Sequence, residues 1–189
     1  RRPSRRHFDI CVIGHLRQEK DPLRAALAVR LLPEKSRVRL FHLGKAHNED
    51  WALAAIKEQL INSRYKWLGD VPGWRVRREL AKTCLLALTS AQEGGANVIS
   101  EAIVAGVPII ASDIPGNTGL LGRNYPGLYP VGNEDALAEM FMKAENDLVF
   151  LKRLEKACNK LRPKFSKKCE ASKWNDLIKR VASQAQVRD

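Results

Sequence analysis

The sequence predicts an α/β fold built on a parallel sheet, and two patterns carry that prediction. Strand-like apolar runs alternate with single helices along most of the chain, which implies right-handed βαβ units. Most of the strands are apolar, as strands are when a sheet is covered on both faces. The length of 189 residues suits one well-packed domain and is short for two.

The elements follow in order. "FDICVIG" reads as a buried strand ending at Gly14, and "DPLRAALAVRLL" as a helix with Asp21 at its N-cap and Pro22 in its first turn. "RVRLFHLG" is a second strand, alternating basic and apolar residues. "NEDWALAAIKEQLI" has helical apolar spacing at Trp51, Leu53, Ala54, Ile56 and Leu60. "YKWLG" is a short strand and "GWRVRRELAKT" a basic helix. "CLLALTS" is an apolar strand with a polar exit. "NVISEAIVAG" is a helix stopped by Gly106, "VPIIAS" a buried strand, "GLYPVG" a last short strand and "EDALAEMFMKAE" a helix. This order gives a Rossmann-like three-layer αβα domain over residues 8–146. Residues 147–189 form a helical C-terminal tail, in which "LVFLKRLEKACNKL" and "CEASKWNDLIKRVAS" are two amphipathic helices separated near Pro163.

Composition narrows the partners. The chain has 33 Lys and Arg against 21 Asp and Glu, a net charge of +12, which favours anionic ligands. Much of the excess sits near the ends, in "RRPSRR" and "KKCEASK". Basic runs of this kind are most often solvated faces, so no nucleic-acid partner is expected. The basic helix "WRVRREL" keeps a nucleic-acid-binding module open as the rival of a different class. The four cysteines form no CxxC pair and no metal-ligand spacing, and Cys11 and Cys84 lie in apolar runs as small buried hydrophobes. That usage fits a reducing compartment, here the cytoplasm. No metal or cofactor is implied. No apolar run approaches the roughly eighteen residues that span a membrane.

In such a sheet, ligands bind beyond the carboxyl ends of the strands. The loop "GHLRQEK" turns at Gly14 and carries Arg17 and Lys20 toward a helix N-terminus, a clamp suited to a phosphate or diphosphate. In "TSAQEGGANVISEAIVAG", Gly94 and Gly95 permit close backbone approach, and Asn97 is a helix cap. The free amides around Asn97 and Val98 then face the crevice. Glu101 falls in the first helical turn, where a carboxylate can accept from the hydroxyls of a ribose, while Glu93 on the loop reaches another part of the same ligand. Taken singly, each residue has a plainer reading: solvated cations, a carboxylate at a helix dipole, an exposed loop acid.

Together they are more specific. The spacing Glu-x7-Glu from Glu93 to Glu101, the glycine after the first Glu, and "EA" followed by "AGVP" resemble the signature of glycosyltransferases with the GT-B fold, of the retaining group called family 4. The resemblance runs in register from "VIGHLRQEKD" through "YKWLGDVP" to "VGNEDALAEMF". It implies the nucleotide-sugar-binding half of such an enzyme, with a UDP-sugar as donor and a hexose or N-acetylhexosamine transferred. It places Glu101 on the ribose, Glu93 on the donor sugar near the reacting carbon, Lys20 on the diphosphate, and the backbone at Val71 on the base; Arg17, from the loop itself, is the expected source of the second charge on the diphosphate. Glu93, Arg17 and Lys20 are the expected catalytic residues. Gly14, His15, Val71, Gly94, Gly95, Asn97, Val98 and Glu101 are the expected binding residues. His15 stands where the family usually has arginine, and "DIPGNTGLLG" departs from a segment in which a glutamate often follows the glycines. "EGGANVISEA", "IPGNTGLLG" and "GHLRQEKDP" are similar to bacterial glycosyltransferases of the selenosugar synthase type, which join the sugar of UDP-N-acetylglucosamine to selenium from selenophosphate. The resemblance makes residues 1–7 a basic linker from an N-terminal domain that would hold the acceptor. Alternatives with the same donor half are a lipid- or glycan-directed enzyme, whose basic tail would touch an anionic membrane surface, and a sugar-nucleotide epimerase.

Overall fold

The computed structural model describes residues 6–186; residues 1–5 of the basic linker and 187–189 of the tail lie outside the described residues. Six strands form one sheet: β1 (Phe8–Ile13), β2 (Val38–Leu43), β3 (Tyr65–Trp67), β4 (Leu85–Leu88), β5 (Ile109–Ser112) and β6 (Leu128–Tyr129). Their order is β3-β2-β1-β4-β5-β6, and each neighbouring pair is parallel. This is the Rossmann-like αβ arrangement that the sequence predicts. The chain steps one way from β1 to β3 and the other way from β4 to β6. Right-handed crossovers therefore put the two sets of helices on opposite faces. Every residue of β4 and β5 is buried, as fits the strands between two helical layers.

The helices are α1 (Arg24–Arg30), α2 (Glu49–Ile61), α3 (Gly73–Leu80), α4 (Asn97–Ala105), α5 (Pro115–Leu121), α6 (Glu134–Asn146), α7 (Leu148–Leu161) and α8 (Lys167–Gln186). Asn48 and Asn133 cap α2 and α6 by accepting from the Trp51 and Ala136 amides. Gly106 ends α4 with φ 73, the left-handed C-cap that glycine supplies without strain. Asp147 caps α7 by accepting from the Val149 and Phe150 amides. That helix then buries Phe150, Leu154 and Cys158 in the same core as Ile10, Leu86 and Ile109. The turn that contains Pro163 separates α7 from α8, where the sequence places the break.

Three local expectations are corrected. Asp21 does not cap a helix: it ends a short 3-10 turn at Gln18–Lys20 with φ 42, and α1 starts only at Arg24. Asp21 takes a left-handed conformation, φ 42 and ψ 58, where an N-cap would be extended, and its carboxylate pairs with Arg24 Nε at 2.8 Å. In α2 the helix exists but another face is buried. Ala55 and Glu58 face inward, while Leu53, Ile56 and Leu60 are exposed. A polar cluster fixes that rotation, since Glu58 pairs with Arg30 and with Asn62 Nδ2 at 2.7 Å. Cys11 is fully buried, but Cys84 is only partly so; burial raises both thiols above the ordinary cysteine range. The helix α5, in the segment "PGNTGLL", has no counterpart among the elements that the sequence predicts.

Candidate functional site

The direction of the crossovers changes between β1 and β4, and the loops leaving these two strands diverge. The crevice between such loops is where an open parallel sheet takes its ligands. On one side lies the Gly14–Lys20 loop, on the other the Thr89–Glu93 loop.

Three strand ends are laced together under the first loop. The Gly14 amide donates to the Leu43 carbonyl at 2.9 Å, and the Gly44 amide to the Gly69 carbonyl at 2.9 Å. Gly44 has φ 154, and any side chain there would overlap the Gly14 carbonyl, so only glycine fits. Below the turn, His42 is 1% exposed. Its Nε2 lies 3.1 Å from the Gly14 carbonyl oxygen. A carbonyl only accepts, so Nε2 carries the hydrogen and Nδ1 accepts from the Tyr65 hydroxyl at 3.2 Å. Burial pushes His42 down to about 4, against a weaker upward pull from the Gly14 bond. A neutral imidazole thus holds up the turn.

Above it, the Lys45 amide donates to His15 Nδ1 at 3.0 Å. The neutral His15 ring then has its hydrogen on Nε2, which remains as a donor for a ligand. Arg17 Nε sits 3.0 Å from Glu19 Oε1. The nitrogen is buried yet makes no aligned hydrogen bond, so this is a close ion pair with poor directionality. Lys20 reaches across the crevice, with Nζ 2.5 Å from Glu93 Oε1. The same oxygen accepts from Ser90 Oγ at 2.7 Å. The backbones are joined as well: the Ala91 and Gln92 amides donate to the Glu19 carbonyl at 2.9 and 3.2 Å, and Thr89 Oγ1 donates to the Lys20 carbonyl at 3.0 Å. The two loops form one rigid unit.

Gly14, His15, Arg17, Lys20 and Val71 line a common cavity of about 240 Å³. Gly14, His15 and Lys20 recur with Glu93 and Val98 in an adjoining pocket that is nearly filled. Gly94, Gly95 and Asn97 are exposed at the start of α4. A methyl group on either glycine would meet nothing within 4 Å, so space for a ligand lies on that side. Two expectations are corrected here. Asn97 is the first residue of α4, and Ala96 is the N-cap with no side-chain bond. The Ile99 amide donates to the Ala96 carbonyl at 2.9 Å, and the Asn97 and Val98 amides ahead of it have no side-chain cap. Glu101 consequently stands in the second turn, not the first. It opens on a separate cavity of about 640 Å³, which it shares with Arg77, Lys164, Phe165 and Lys173. The structure thus brings Gly14, His15, Arg17, Lys20, Val71, Glu93 and Val98 together and sets Glu101 apart.

His42, Thr89 and Ser90 do not stand out in the sequence. The polar exit of "CLLALTS" is a visible signal for the last two; His42 reads there only as one more basic residue in an alternating strand. Among the described residues, no group of three or more His, Cys, Asp and Glu side chains is placed to hold a metal ion, and no helix is long and apolar enough to cross a membrane.

Comparison with known proteins adds four findings. The family model described as glycosyl transferases group 1 matches residues 3–161. The putative teichuronic acid biosynthesis glycosyltransferase TuaC of Bacillus subtilis (strain 168) is 27% identical over 138 residues, 73% of this chain and 33% of that protein. Anabaena Alr3699/HepE in complex with UDP superposes with a TM-score of 0.78 at 21% identity, over 95% of this chain and 49% of the other. The same protein in complex with UDP-glucose gives 0.76 at 20% identity, over 94% and 49%. The chain thus spans a third of the first relative's length and about half of the second's.

Proposed function

The chain belongs to the group 1 glycosyl transferases, and from that premise we propose that it binds the UDP-sugar donor of a GT-B enzyme. One observation carries the reading. At the point where the crossovers change direction, a glycine turn, two cations, a carboxylate and the Val71 loop converge on adjoining cavities. The UDP and UDP-glucose complexes of the structural relative support the choice of ligand.

In this reading Lys20 and Arg17 receive the diphosphate, with His15 Nε2–H as a neutral donor in the place of an arginine. Lys20 now pairs with Glu93. A diphosphate that attracts Lys20 leaves one Glu93 oxygen to take a sugar hydroxyl, so donor binding exchanges one ion pair for two ligand contacts. The Val71 backbone holds the base. The nucleoside extends along α4, where Glu101 takes the ribose, and the exposed Gly94, Gly95, Asn97 and Val98 segment lies against the phosphates and sugar. As UDP departs, charge grows on its β-phosphate, and Arg17, Lys20 and the Asn97 and Val98 amides stabilise it. Transfer proceeds with retention and rests on positioning and leaving-group electrostatics rather than on an acid–base pair. The sugar is a hexose or N-acetylhexosamine. The acceptor belongs to the other half of such an enzyme and is selenophosphate in the selenosugar synthase-like reading. The similarity to TuaC favours a second reading, a glycan acceptor. Nucleic-acid binding has less behind it, because Arg24, Arg30, Arg37 and Arg39 already pair with Asp21, Glu58, Glu145 and Asp9.

Calorimetry tests the donor reading first: UDP should bind and uridine should bind far more weakly. Equal binding of both would sink it. A protein extended at its N-terminus, given UDP-N-acetylglucosamine and selenophosphate, then tests the acceptor. UDP binding without selenosugar formation would discard selenophosphate and leave the donor reading in place.

A further inference from the structure

Glu93 is held from behind by a chain of buried polar groups. Asn117, on α5, is 0% exposed. Its Nδ2 lies 3.0 Å from the Ser112 carbonyl and 3.1 Å from Ser112 Oγ. Ser112, also 0% exposed, has its Oγ 2.6 Å from the Ser90 carbonyl. Ser90 Oγ in turn donates to Glu93 Oε1. The direction of the chain is fixed. The Ser90 carbonyl only accepts, so Ser112 Oγ donates to it and must accept from Asn117. The amide nitrogen of Asn117 therefore faces Ser112, which leaves Asn117 Oδ1 buried without a partner. An orphaned buried acceptor is a cost that native proteins rarely keep without a reason. A second contact points the same way. A side chain at Gly116 would run into the carbonyl and Cβ of Glu93, so α5 abuts the backbone of that residue.

We infer that Ser112 and Asn117 are positioning residues for Glu93: through Ser90 they fix the carboxylate for the donor sugar. The inference rests on the donor-site reading above. Ser112 and Asn117 bond to each other and to the Ser90 carbonyl, and reach the site only through Ser90 and Glu93. They therefore act through Glu93, the carboxylate that the donor-site reading assigns to the sugar.

The test is calorimetry on the whole chain with UDP, UDP-glucose and UDP-N-acetylglucosamine. Ser112→Ala should leave UDP affinity unchanged and weaken the better-bound UDP-sugar roughly tenfold, the scale of a hydrogen bond to a charged group. Glu93→Gln should lower the affinity for the UDP-sugar relative to UDP, and adding Ser112→Ala to Glu93→Gln should lower it no further, because both act on one contact. Ser112→Thr, which keeps the hydroxyl, should restore the wild-type preference. Equal loss for UDP and UDP-sugar, independent losses in the double variant, or an unchanged UDP-sugar affinity would each overturn the inference. If Ser112→Ala fails to fold, Ser112→Cys, which fills the space with a weaker donor, carries the same comparison. A wild type that binds no uridine nucleotide would defeat the donor-site reading and this inference together; wild-type binding with an indifferent Ser112→Ala defeats the inference alone.

Discussion

Replacing His42 with glutamine removes one titrating group from beneath the Gly14 turn while keeping a donor for the Gly14 carbonyl and an acceptor for the Tyr65 hydroxyl. In the folded protein His42 titrates near 4 instead of the ordinary 6.5. Its proton is therefore taken up first by the unfolded chain. Stability from this residue is complete above about pH 6.5, falls as the pH drops, and levels off below about pH 4. Each tenfold difference in proton affinity between the folded and unfolded chain is worth roughly 1.4 kcal/mol. The full range is then about 3 kcal/mol, and about 2 kcal/mol of it is lost between about pH 7 and about pH 5. Urea denaturation at those two pH values measures this for wild type and His42→Gln. Groups common to both proteins cancel in the comparison. The wild type should lose about 2 kcal/mol more than the variant on acidification. Parallel losses would refute the argument, because they would mean that His42 takes up a proton as readily in the fold as outside it.

Other substitutions probe the site and its frame. Lys20→Ala should erase most of the preference for UDP over uridine, about 1.5–3 kcal/mol for a hydrogen bond to a charged group; a retained preference would place the diphosphate elsewhere. Glu101→Gln should weaken UDP and uridine alike, by about tenfold or more. Unchanged affinity in that variant would confine Glu101 to the cavity it shares with Arg77. Gly44→Ala should lower stability by about 1–3 kcal/mol, since the backbone is strained for any other residue and Gly14 blocks the methyl group; an unshifted melting temperature would contradict the close approach. Cys11, buried and with its thiol titration pushed up, should stay unlabelled by thiol reagents in the native state; rapid labelling would dislodge β1 from the centre of the sheet.

The succession of strands and helices and the loops that border the crevice were legible because each depends on a pattern repeated along the chain. Apolar runs that end in glycine or in polar pairs place β1, β2 and β4 and their exit loops. Lys20 and Glu93 were legible as neighbours of the crevice for the same reason: each lies on a loop that follows a strand end. The misses have local causes. Asp21 has the look of a cap, but it closes the 3-10 turn before it in a left-handed conformation and its carboxylate is taken by Arg24. Asn97 was offset by one residue because Ala96, which cannot cap with a side chain, occupies the N-cap. That single step moves Glu101 to the next turn. The face of α2 was misjudged because its inward residue is a glutamate, neutralised by an arginine from α1, and periodicity counts only apolar residues. Nothing in "IPGNTG" announces a helix, since two glycines and a proline argue against one. Pairings between distant segments, such as Ser112 with Ser90, exist only once the sheet has formed.

The outer strands of the sheet bear on how this protein behaves at high concentration. An open sheet ends in two rows of unsatisfied amides and carbonyls, which invite another chain to add a strand. Here β3 has three residues and its middle one, Lys66, is an exposed cation. The other edge, β6, has two residues and is followed directly by Pro130, which has no amide hydrogen to offer. Each border is thus too short, and too charged or too poor in donors, to template a growing ribbon. A chain with four continuously buried residues in each of β4 and β5 carries segments prone to cross-β stacking, and the fold keeps them in the interior of the sheet, flanked on both sides by strands that discourage self-association.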